Sequence, residues 1–377
     1  MRLCFICPEP IGKGGIGTYT KYIVEGLKRN VNITLFVKER NKYEYPLSSI
    51  EDVEIIKIDD NLLKWYINVS KHIIKRYKEF DFVECPEFGG SLYASCKLFR
   101  KIKEKLIVRL HMNTKIVKYF EEKSGVFEYL KTRIIDNMEK TLVKSVKLIT
   151  APSRAIAEIE GIMWGIPIEK IKVFPNPIKL PINEIDKENV IIKNFGTDNY
   201  VLYFGRLQKR KGIFDFVESI KYVRNKEVTF VIVGADPFNI KEKLKKSLPR
   251  YLRDRVIFID YLARSKLMRV IKDARVVVLP SLFENFPYVV LETMALGTLL
   301  ITTKVGGIRE IITHLENGIL IEPNNPQQIA WWIDFILSDE NEDIVNKMKK
   351  NAIRKVEEFE SKKIAKCYLK ILEVISK

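Results

Sequence analysis

The sequence predicts an α/β protein with two doubly wound parallel sheets. Short apolar runs rich in Val and Ile alternate with amphipathic stretches of about ten to twenty residues along nearly the whole chain, which is the pattern of parallel βα units. At 377 residues the chain is too long for one ordinary core, so two domains are expected. A proline-rich segment near the middle separates two series of strands, and each series predicts one Rossmann-like domain.

The strands of the two series can be placed individually. The first series covers 3–7, 32–37, 53–58, 82–85, 105–110, 147–151 and 172–174. The second covers 200–204, 229–233, 256–259, 276–279, 299–302 and 319–321. Because three prolines within 174–181 disfavour both helix and strand pairing, the domains are predicted to be 1–177 and 178–359. A polar connector is expected over 183–199, and amphipathic helices over 340–358 and 361–375.

Two glutamates flank the start of a predicted helix in the second domain. Glu284 lies in a proline-bracketed loop directly after the strand 276–279, and Glu292 lies one or two turns inside the next helix. At about 1.5 Å rise per helical residue the carboxylates would be roughly 10 Å apart, which suits two hydroxyl groups of one long ligand. The N–H groups of Tyr288 and Val289 at the helix start would suit a phosphate. The pattern predicts a nucleotide-sugar site; the alternative is a solvated loop carboxylate and a helix residue favoured by the helix dipole.

A basic loop follows the first strand of the second domain and reads GRLQKRKG from 205 to 212. Arg206 can form paired hydrogen bonds to phosphate oxygens, and Lys211 supplies a compact positive charge. These side chains are predicted to neutralise a leaving diphosphate. Since the chain has no D-x-D motif for a divalent ion, a reaction without metal or other cofactor is expected. The alternative is an exposed basic turn.

A glycine-rich loop, 12–17, spells G-x-G-x-x-G after the first strand. A dinucleotide site would place an acidic residue such as Glu39 at the end of the second strand. Four residues separate the strand from the first glycine, however, and Glu39 lies in a charged run beyond the strand. The loop is better interpreted as a mobile wall of a ligand site in which Gly14 and Gly15 allow close backbone approach. A purely structural turn is the alternative.

Two polar residues end strands of the first domain. His111 follows the strand 105–110 and is predicted to point into a ligand cleft, although a lone histidine in this place is often only a local hydrogen-bonding residue. Glu87 follows the strand 82–85 and could help to bind an acceptor.

The segments 205–212 and 280–310 resemble the retaining glycosyltransferases of family 4, enzymes of the GT-B fold with an E-x7-E signature. The resemblance implies two Rossmann-like domains facing a central cleft, with the last helix, 360–377, crossing back to the first domain. It implies that Glu284 contacts the donor sugar, Glu292 the ribose, and His111 the donor sugar from the other domain. It also implies an Arg and a Lys five residues apart, as Arg206 and Lys211 are here.

The same resemblance supplies further contacts with the donor. Tyr261 and Leu262 would face the nucleobase, and Gly14 and Gly15 would lie near donor and acceptor. The remaining implied donor residues are Gly234, Phe286, Tyr288 and Val289. The sequence departs from the family pattern at Asn285 and Pro287, where many members have Gly, and at Arg309, which replaces a frequent Pro.

The formal net charge of +17 includes two basic clusters in the first domain, 71–78 and 97–105. They suit an anionic membrane surface or an anionic substrate, and the alternative is the solvated, Lys-rich composition of heat-adapted proteins. No recognised nucleic-acid motif accompanies the charge. No apolar run approaches the roughly 18 residues of a membrane span, and no signal peptide is recognisable, so a cytoplasmic protein is expected, peripheral at most on the inner face of the membrane.

These observations together predict a retaining transferase. It would move a sugar from an α-linked UDP- or GDP-sugar to a hydroxyl acceptor, such as a lipid-linked or polysaccharide precursor. Two alternatives stay open: a nucleotide-sugar 2-epimerase, which shares this fold, and a non-catalytic protein that binds sugar nucleotides or membranes.

Overall fold

The computed structural model describes residues 1–38, 52–58, 62–120, 125–180 and 185–376, which form two compact units. Unit 1 comprises Met1–Lys179 together with Phe359–Lys377, and unit 2 comprises Leu180–Glu358. Each unit contains one fully parallel sheet with helices between its strands, so the predicted α/β fold with two doubly wound sheets is confirmed.

The sheet of unit 1 has seven strands in the order β3-β2-β1-β4-β5-β6-β7. They are β1 (Arg2–Cys7), β2 (Asn32–Lys38), β3 (Val53–Ile58), β4 (Phe82–Pro86), β5 (Leu106–Arg109), β6 (Leu148–Ala151) and β7 (Ile171–Val173). The strand order reverses between β1 and β4, where Leu3 pairs with Phe82. At such a reversal the loops after the two strands diverge and leave a crevice at the carboxyl edge, which is where doubly wound sheets bind ligands.

Six helices of unit 1 connect these strands or lie in their crossovers. They are α1 (Gly14–Leu27), α2 (Leu62–Arg76), α3 (Tyr93–Leu98), α4 (Thr114–Tyr119), α5 (Val126–Ser145) and α6 (Arg154–Trp164). Helices on both faces bury the strands on both sides, which explains why strands such as β5 are fully buried and nearly continuous in Val, Ile and Leu. Cys4 and Cys7 are core residues of β1, and all five cysteines are free thiols.

The sheet of unit 2 has six strands in the order β10-β9-β8-β11-β12-β13. They are β8 (Tyr200–Phe204), β9 (Thr229–Val233), β10 (Val256–Ile259), β11 (Val276–Leu279), β12 (Leu300–Thr303) and β13 (Ile319–Ile321). Its order reverses between β8 and β11, where Val201 pairs with Val276. In both units every predicted strand forms, and each end lies within one residue of the prediction.

The described residues of unit 2 contain eight α-helices. They are α7 (Val190–Phe195), α8 (Ile213–Ser219), α9 (Lys241–Ser247), α10 (Arg250–Arg253), α11 (Arg264–Asp273), α12 (Tyr288–Ala295), α13 (Pro326–Leu337) and α14 (Glu342–Val356). Helix α7 was not expected, because 183–199 was predicted as a polar connector. The Asn189 side chain caps α7 by accepting from Ile191 N at 2.8 Å, and Ile191 is buried, so one cap and one apolar anchor suffice for this short helix.

The last helix, α15 (Ser361–Ser376), completes unit 1. It packs against α1, where a Cβ on Gly26 would lie 2.5 Å from the Ser361 carbonyl oxygen, so only glycine permits this approach. The Tyr368 hydroxyl donates to Glu84 at 2.5 Å beneath it. Within the part of the chain that the structure describes, no helix combines the length and apolarity needed to cross a bilayer.

Candidate functional site

The loops after β8 and β11 are joined at the carboxyl edge of the unit 2 sheet. Leu282 N donates to the Arg210 carbonyl oxygen at 2.8 Å. Gly212 has a φ of 71°, and a Cβ there would lie 1.8 Å from the Pro280 carbonyl oxygen. Since β8 and β11 are neighbours at the strand reversal, this contact brings the basic loop and the Glu284 loop together at the place where a ligand is expected.

Glu284 is buried and paired with two cations from the basic loop. Lys211 Nζ donates to Glu284 Oε1 at 2.5 Å, and Arg210 Nη1 lies 3.6 Å from Oε2. Ser281 Oγ donates to Oε1 at 2.8 Å. Burial alone would raise the pKa of Glu284, but Lys211 and Arg210 outweigh burial and hold the pKa below its ordinary value. Burial, opposed by Glu284, lowers the pKa of Lys211.

Arg210 is a site residue that the sequence analysis did not single out. Its Nη1 donates to the Phe283 carbonyl oxygen at 3.0 Å, so the guanidinium both orders the Glu284 loop and faces the carboxylate. The predicted Arg206 has an exposed side chain and acts electrostatically on Lys211. Within this one basic loop, Arg210 and Lys211 face Glu284 whereas the Arg206 side chain is exposed.

Glu292 also has a cationic partner that the sequence analysis did not find. Arg264 Nη1, at the start of α11, donates to Glu292 Oε1 at 2.7 Å, and the Glu292 side chain is 8% exposed. The preceding loop places Tyr261 at 71% exposure and leaves Leu262 half-buried. The exposed Tyr261 ring and the Glu292 carboxylate are the groups for which nucleobase and ribose contacts were predicted.

The start of α12 lies between the two glutamates. Tyr288 and Val289 are half-buried, and Pro287 precedes them without a side-chain cap. Phe286 is 4% exposed, so its ring packs in the core and only its backbone remains for the predicted ligand contact.

Glycines in this region serve close backbone contacts within unit 2. A Cβ on Gly306, whose φ is 49°, would lie 1.8 Å from the Glu284 carbonyl oxygen, and Gly307 N donates to the same oxygen at 3.3 Å. A Cβ on Gly234 would lie 1.9 Å from the Gly205 carbonyl oxygen. This close contact is a structural reason for glycine at position 234, separate from its predicted role in donor binding.

In unit 1 the glycine loop leads into α1. Glu9 Oε2 accepts from Ile16 N at 3.0 Å and from Gly17 N at 3.2 Å, so the carboxylate of a residue that precedes the helix binds the N–H groups of its first turn. A Cβ on Gly14 would lie 2.5 Å from that carboxylate, whereas nothing lies within 4 Å of a Cβ on Gly15. Glu39 of the dinucleotide interpretation lies outside the described residues.

His111 is 9% exposed and lies two residues after Arg109, the last residue of β5. Its ring meets the Tyr19 ring edge-on, with centroids 5.3 Å apart. Burial, with the nearby Arg109 guanidinium, holds the pKa of His111 well below its ordinary value, so the imidazole is neutral near pH 7. Arg109 itself is fully buried between the Tyr19 and Phe174 rings, 4.1 Å from each centroid.

Glu87 lies in the interior of unit 1 rather than on a binding surface. Its side chain is fully buried, and Oε1 accepts from His111 N and Met112 N at 2.7 Å each. Burial raises the pKa of Glu87 to about 8. The predicted contact with an acceptor is therefore not favoured by the geometry, because the Glu87 carboxylate is hydrogen-bonded to the loop that carries His111.

Two doubly wound parallel sheets in separate units, with cations and carboxylates at the strand reversal of the second, define a glycosyltransferase of the GT-B class. The family model Glycosyltransferase Family 4 matches residues 13–180, and the model Glycosyl transferases group 1 matches residues 184–355. The chain belongs to this family-4 type of GT-B glycosyltransferase, as the sequence resemblance indicated.

Individual relatives agree with this assignment. An uncharacterized glycosyltransferase of Methanocaldococcus jannaschii is 28% identical over 91% of this chain and 90% of its own. A Campylobacter jejuni N,N'-diacetylbacillosaminyl-diphospho-undecaprenol alpha-1,3-N-acetylgalactosaminyltransferase is 28% identical over 52% of this chain and 50% of its own. The structure of Anabaena HepE in complex with UDP superposes with a TM-score of 0.76 at 19% identity, covering 99% of this chain and 100% of HepE.

Proposed function

We propose that the protein is a retaining, metal-independent glycosyltransferase that moves a sugar from an α-linked UDP- or GDP-sugar to a hydroxyl acceptor. The cation cluster beside Glu284 carries this proposal. Arg210 and Lys211 face the Glu284 carboxylate, and Arg206 lies in the same loop and acts electrostatically on Lys211, which leaves an excess of positive charge at the carboxyl edge of the sheet. A diphosphate is the ligand that this charge and this place favour.

The reaction needs charge stabilisation on the leaving group. The bond between the anomeric carbon and the diphosphate oxygen breaks while a bond to the acceptor oxygen forms on the same face of the sugar. The acceptor proton passes to the leaving phosphate oxygen, giving the glycosylated acceptor and a nucleoside diphosphate. Arg206, Lys211 and the N–H groups at the start of α12 would stabilise the negative charge that grows on the diphosphate, which is the task of a metal ion in other enzymes.

The remaining residues hold the donor. Glu284 orients the sugar, Glu292 binds the ribose, and Tyr261 contacts the base. His111, being neutral, can donate or accept a hydrogen bond at the sugar without placing a second positive charge there. HepE structures with UDP and with UDP-glucose support a uridine donor, and the name of the Campylobacter relative supports a lipid-linked acceptor.

A lipid-linked acceptor requires contact with a membrane, and unit 1 has a surface that suits it. Around the start of α5 the structure exposes large apolar side chains beside Lys131; they are Tyr119, Phe127, Leu130 and Ile134. We place membrane contact at this surface of unit 1, the unit that also carries the basic clusters predicted from the sequence. Within those clusters Arg76 is paired with Glu54 and Lys105 Nζ donates to the Phe80 carbonyl oxygen at 2.6 Å, so these two side chains are engaged inside unit 1.

A donor screen followed by product analysis tests the proposal. UDP-, GDP- and ADP-sugars are compared by thermal shift, since a bound ligand raises the melting temperature. The stabilising donor is then incubated with polyprenyl-diphosphate-linked sugars, with and without EDTA, and the anomeric configuration of the product is determined by NMR. An α-linked product formed in EDTA is expected.

Other outcomes separate the alternatives. A β-linked product would reject retention, and loss of turnover in EDTA would reject metal independence. Formation of an epimeric nucleotide-sugar without acceptor would identify an isomerase. Donor binding without turnover throughout the acceptor screen would favour a binding protein.

A further inference from the structure

The loop after β5 has an unusual set of hydrogen bonds. The backbone N–H groups of four consecutive residues, 111–114, all donate to buried glutamate side chains. Those of His111 and Met112 go to Glu87, that of Asn113 goes to Glu160 Oε1 at 2.9 Å, and that of Thr114 goes to Glu139 Oε2 at 3.1 Å.

The three acids come from three different elements. Glu87 follows β4, Glu139 lies on α5 and Glu160 lies on α6. Glu139 Oε1 also accepts from Thr114 Oγ1 at 2.5 Å, from Gly89 N at 2.7 Å and from Thr114 N at 3.3 Å. All three side chains are 0% exposed. The loop is therefore fixed to the rest of unit 1 from three directions by side chains alone.

This arrangement is costly, and a simple structural need does not explain it. Burial raises the pKa of Glu160, and the Glu87 carboxyl beside it raises it further. Within the described residues the second oxygens of Glu87 and Glu160 have no hydrogen-bond partner. Burying polar atoms in this way disfavours folding, and apolar side chains would fill the same interior at lower cost. Within the described residues, no group of three His, Cys, Asp or Glu side chains is arranged so that it could hold a metal ion.

The loop that the acids hold carries His111 and starts a helix. Asn113 caps α4, its Oδ1 accepting from Ile116 N at 2.9 Å. The acids thus determine both where the His111 imidazole sits and where α4 begins. An error of about 1 Å in the place of a reacting group can reduce a rate on the order of 100-fold.

We infer that Glu87, Glu139 and Glu160 are positioning residues, which fix the backbone of 111–114 and so hold His111 in place for glycosyl transfer. None of them touches a substrate. The inference rests on the proposed function through the role given to His111, but the fixing of the loop is measurable without any turnover.

Glu160 offers the sharpest test, because α6 contains a matched control. Glu158 lies two residues away on the same helix, is exposed and pairs with Arg154. Glu160→Ala removes the acceptor for Asn113 N, whereas Glu160→Gln keeps an oxygen in the same place. Hydrogen exchange is followed in a peptide covering 110–115, and kcat and donor KM are measured for each variant and for Glu158→Ala.

Glu160→Ala is expected to lose protection of the 110–115 amides and to lower kcat on the order of 100-fold. Donor KM should change about twofold or less, since the predicted donor residues are mainly in unit 2. Glu160→Gln should restore most of the protection and turnover, and Glu158→Ala should resemble the wild type. Glu87→Ala and Glu87→Gln should repeat the pattern.

Two results would overturn the inference. One is full protection of 110–115 in both alanine variants; the other is lost protection with unchanged kcat. If Glu160→Ala fails to fold, Glu160→Gln carries the test, and normal exchange of 110–115 together with a large loss of kcat in that variant would equally count against the inference. A wild-type protein that transfers no sugar would defeat the proposed function, while the exchange data would still decide whether the acids fix the loop.

Discussion

Lys211 Nζ lies 2.5 Å from Glu284 Oε1, although the two residues follow different strands and are 73 positions apart in the chain. Neither charge is solvated, since their side chains are 19% and 6% exposed. A buried pair of this kind is costly to break, because removing one partner leaves the other charge without compensation. A mutation of either residue is therefore expected to change both the stability of unit 2 and ligand binding at the proposed diphosphate site.

Replacing Glu284 by Gln should destabilise unit 2 and reduce turnover. The amide keeps the shape and can still accept from Ser281, but Lys211 and Arg210 lose their counter-charge, and breaking a buried pair costs about 3 to 5 kcal/mol. Urea denaturation measures the free energy of unfolding. Glu322→Gln is the control, since Glu322 forms an exposed ion pair with Lys304 in the same unit and should cost less than about 1 kcal/mol. Equal losses in the two variants would contradict the burial argument.

Replacing Lys211 by Gln should weaken binding of UDP more than binding of UMP. A hydrogen bond to a charged group contributes about 1.5 to 3 kcal/mol, which corresponds to roughly tenfold to hundredfold in affinity. Uridine provides the control, because it lacks phosphate, and calorimetry at two salt concentrations gives the comparison. If all three ligands weakened equally, Lys211 would act on the fold rather than on the diphosphate.

The stability of unit 1 should fall as the pH rises from about 6.5 to about 8. Burial raises the pKa of Glu87 to about 8 and that of Glu139 to about 7, from an ordinary value of 4.5. Between the ordinary value of 4.5 and these raised pKa values, the folded protein binds more protons than the unfolded chain. The stabilisation is therefore fully present at low pH and is lost as the pH rises through the raised pKa values. His111, with a lowered pKa, acts in the opposite direction, but only below its ordinary value of 6.5.

Urea denaturation between pH 5 and pH 9 measures this dependence, and Glu87→Gln should flatten it. The Glu139 carboxyl raises the pKa of Glu87, the Asp136 carboxyl raises that of Glu139, and the Arg109 guanidinium lowers that of His111. Glu284 has a lowered pKa, so its contribution changes below pH 4.5 and leaves this window untouched. A wild-type profile that rises between pH 6.5 and pH 8 would refute the assignment of protonated acids.

Replacing Phe127 and Leu130 by Ser should reduce binding to anionic vesicles and leave stability nearly unchanged. Their side chains are 79% and 51% exposed, so little buried surface is lost, while insertion into the lipid interface would lose apolar area. Vesicle sedimentation measures binding at low and high salt. Tyr251→Ser, an exposed aromatic position of unit 2, is the control. Undiminished binding by the double variant, or equal binding to neutral vesicles, would argue against this surface.

Gly15, predicted to lie near donor and acceptor, and Gly306, which contacts the Glu284 backbone, should respond differently to Ala. Gly306→Ala forces a Cβ against the Glu284 carbonyl oxygen in left-handed backbone, so the expected loss is above about 1 kcal/mol. Gly15→Ala meets no atom within 4 Å and lies in the first turn of α1, so its stability should be kept or slightly increased. Any loss of turnover in Gly15→Ala then reports a ligand contact; unchanged turnover would remove Gly15 from the site.

The sequence predicted the sheets well because parallel strands buried on both faces have an unambiguous apolar pattern. The two glutamates and the basic loop were also found, since each follows directly after such a strand. The partners of these residues were not predicted, because tertiary contacts determine which side chains meet. Arg264, for example, lies 28 residues from Glu292 in the chain. Likewise, no spacing rule connects Glu139 and Glu160 with a loop at 111–114. Helix α7 was missed because its six residues are too few to show a helical period within a mostly polar segment, and a capping side chain helps to start it.

The place of α15 has a consequence for biosynthesis. Ser361 N donates to the Ile178 carbonyl oxygen at 2.9 Å, and Tyr368 reaches a glutamate 284 positions earlier in the chain. During translation, all of unit 2 leaves the ribosome before the helix that closes unit 1. Unit 2 can thus fold while unit 1 still exposes the apolar surface that α15 will cover. A protein truncated near residue 359 should keep that surface exposed and remain bound to chaperones.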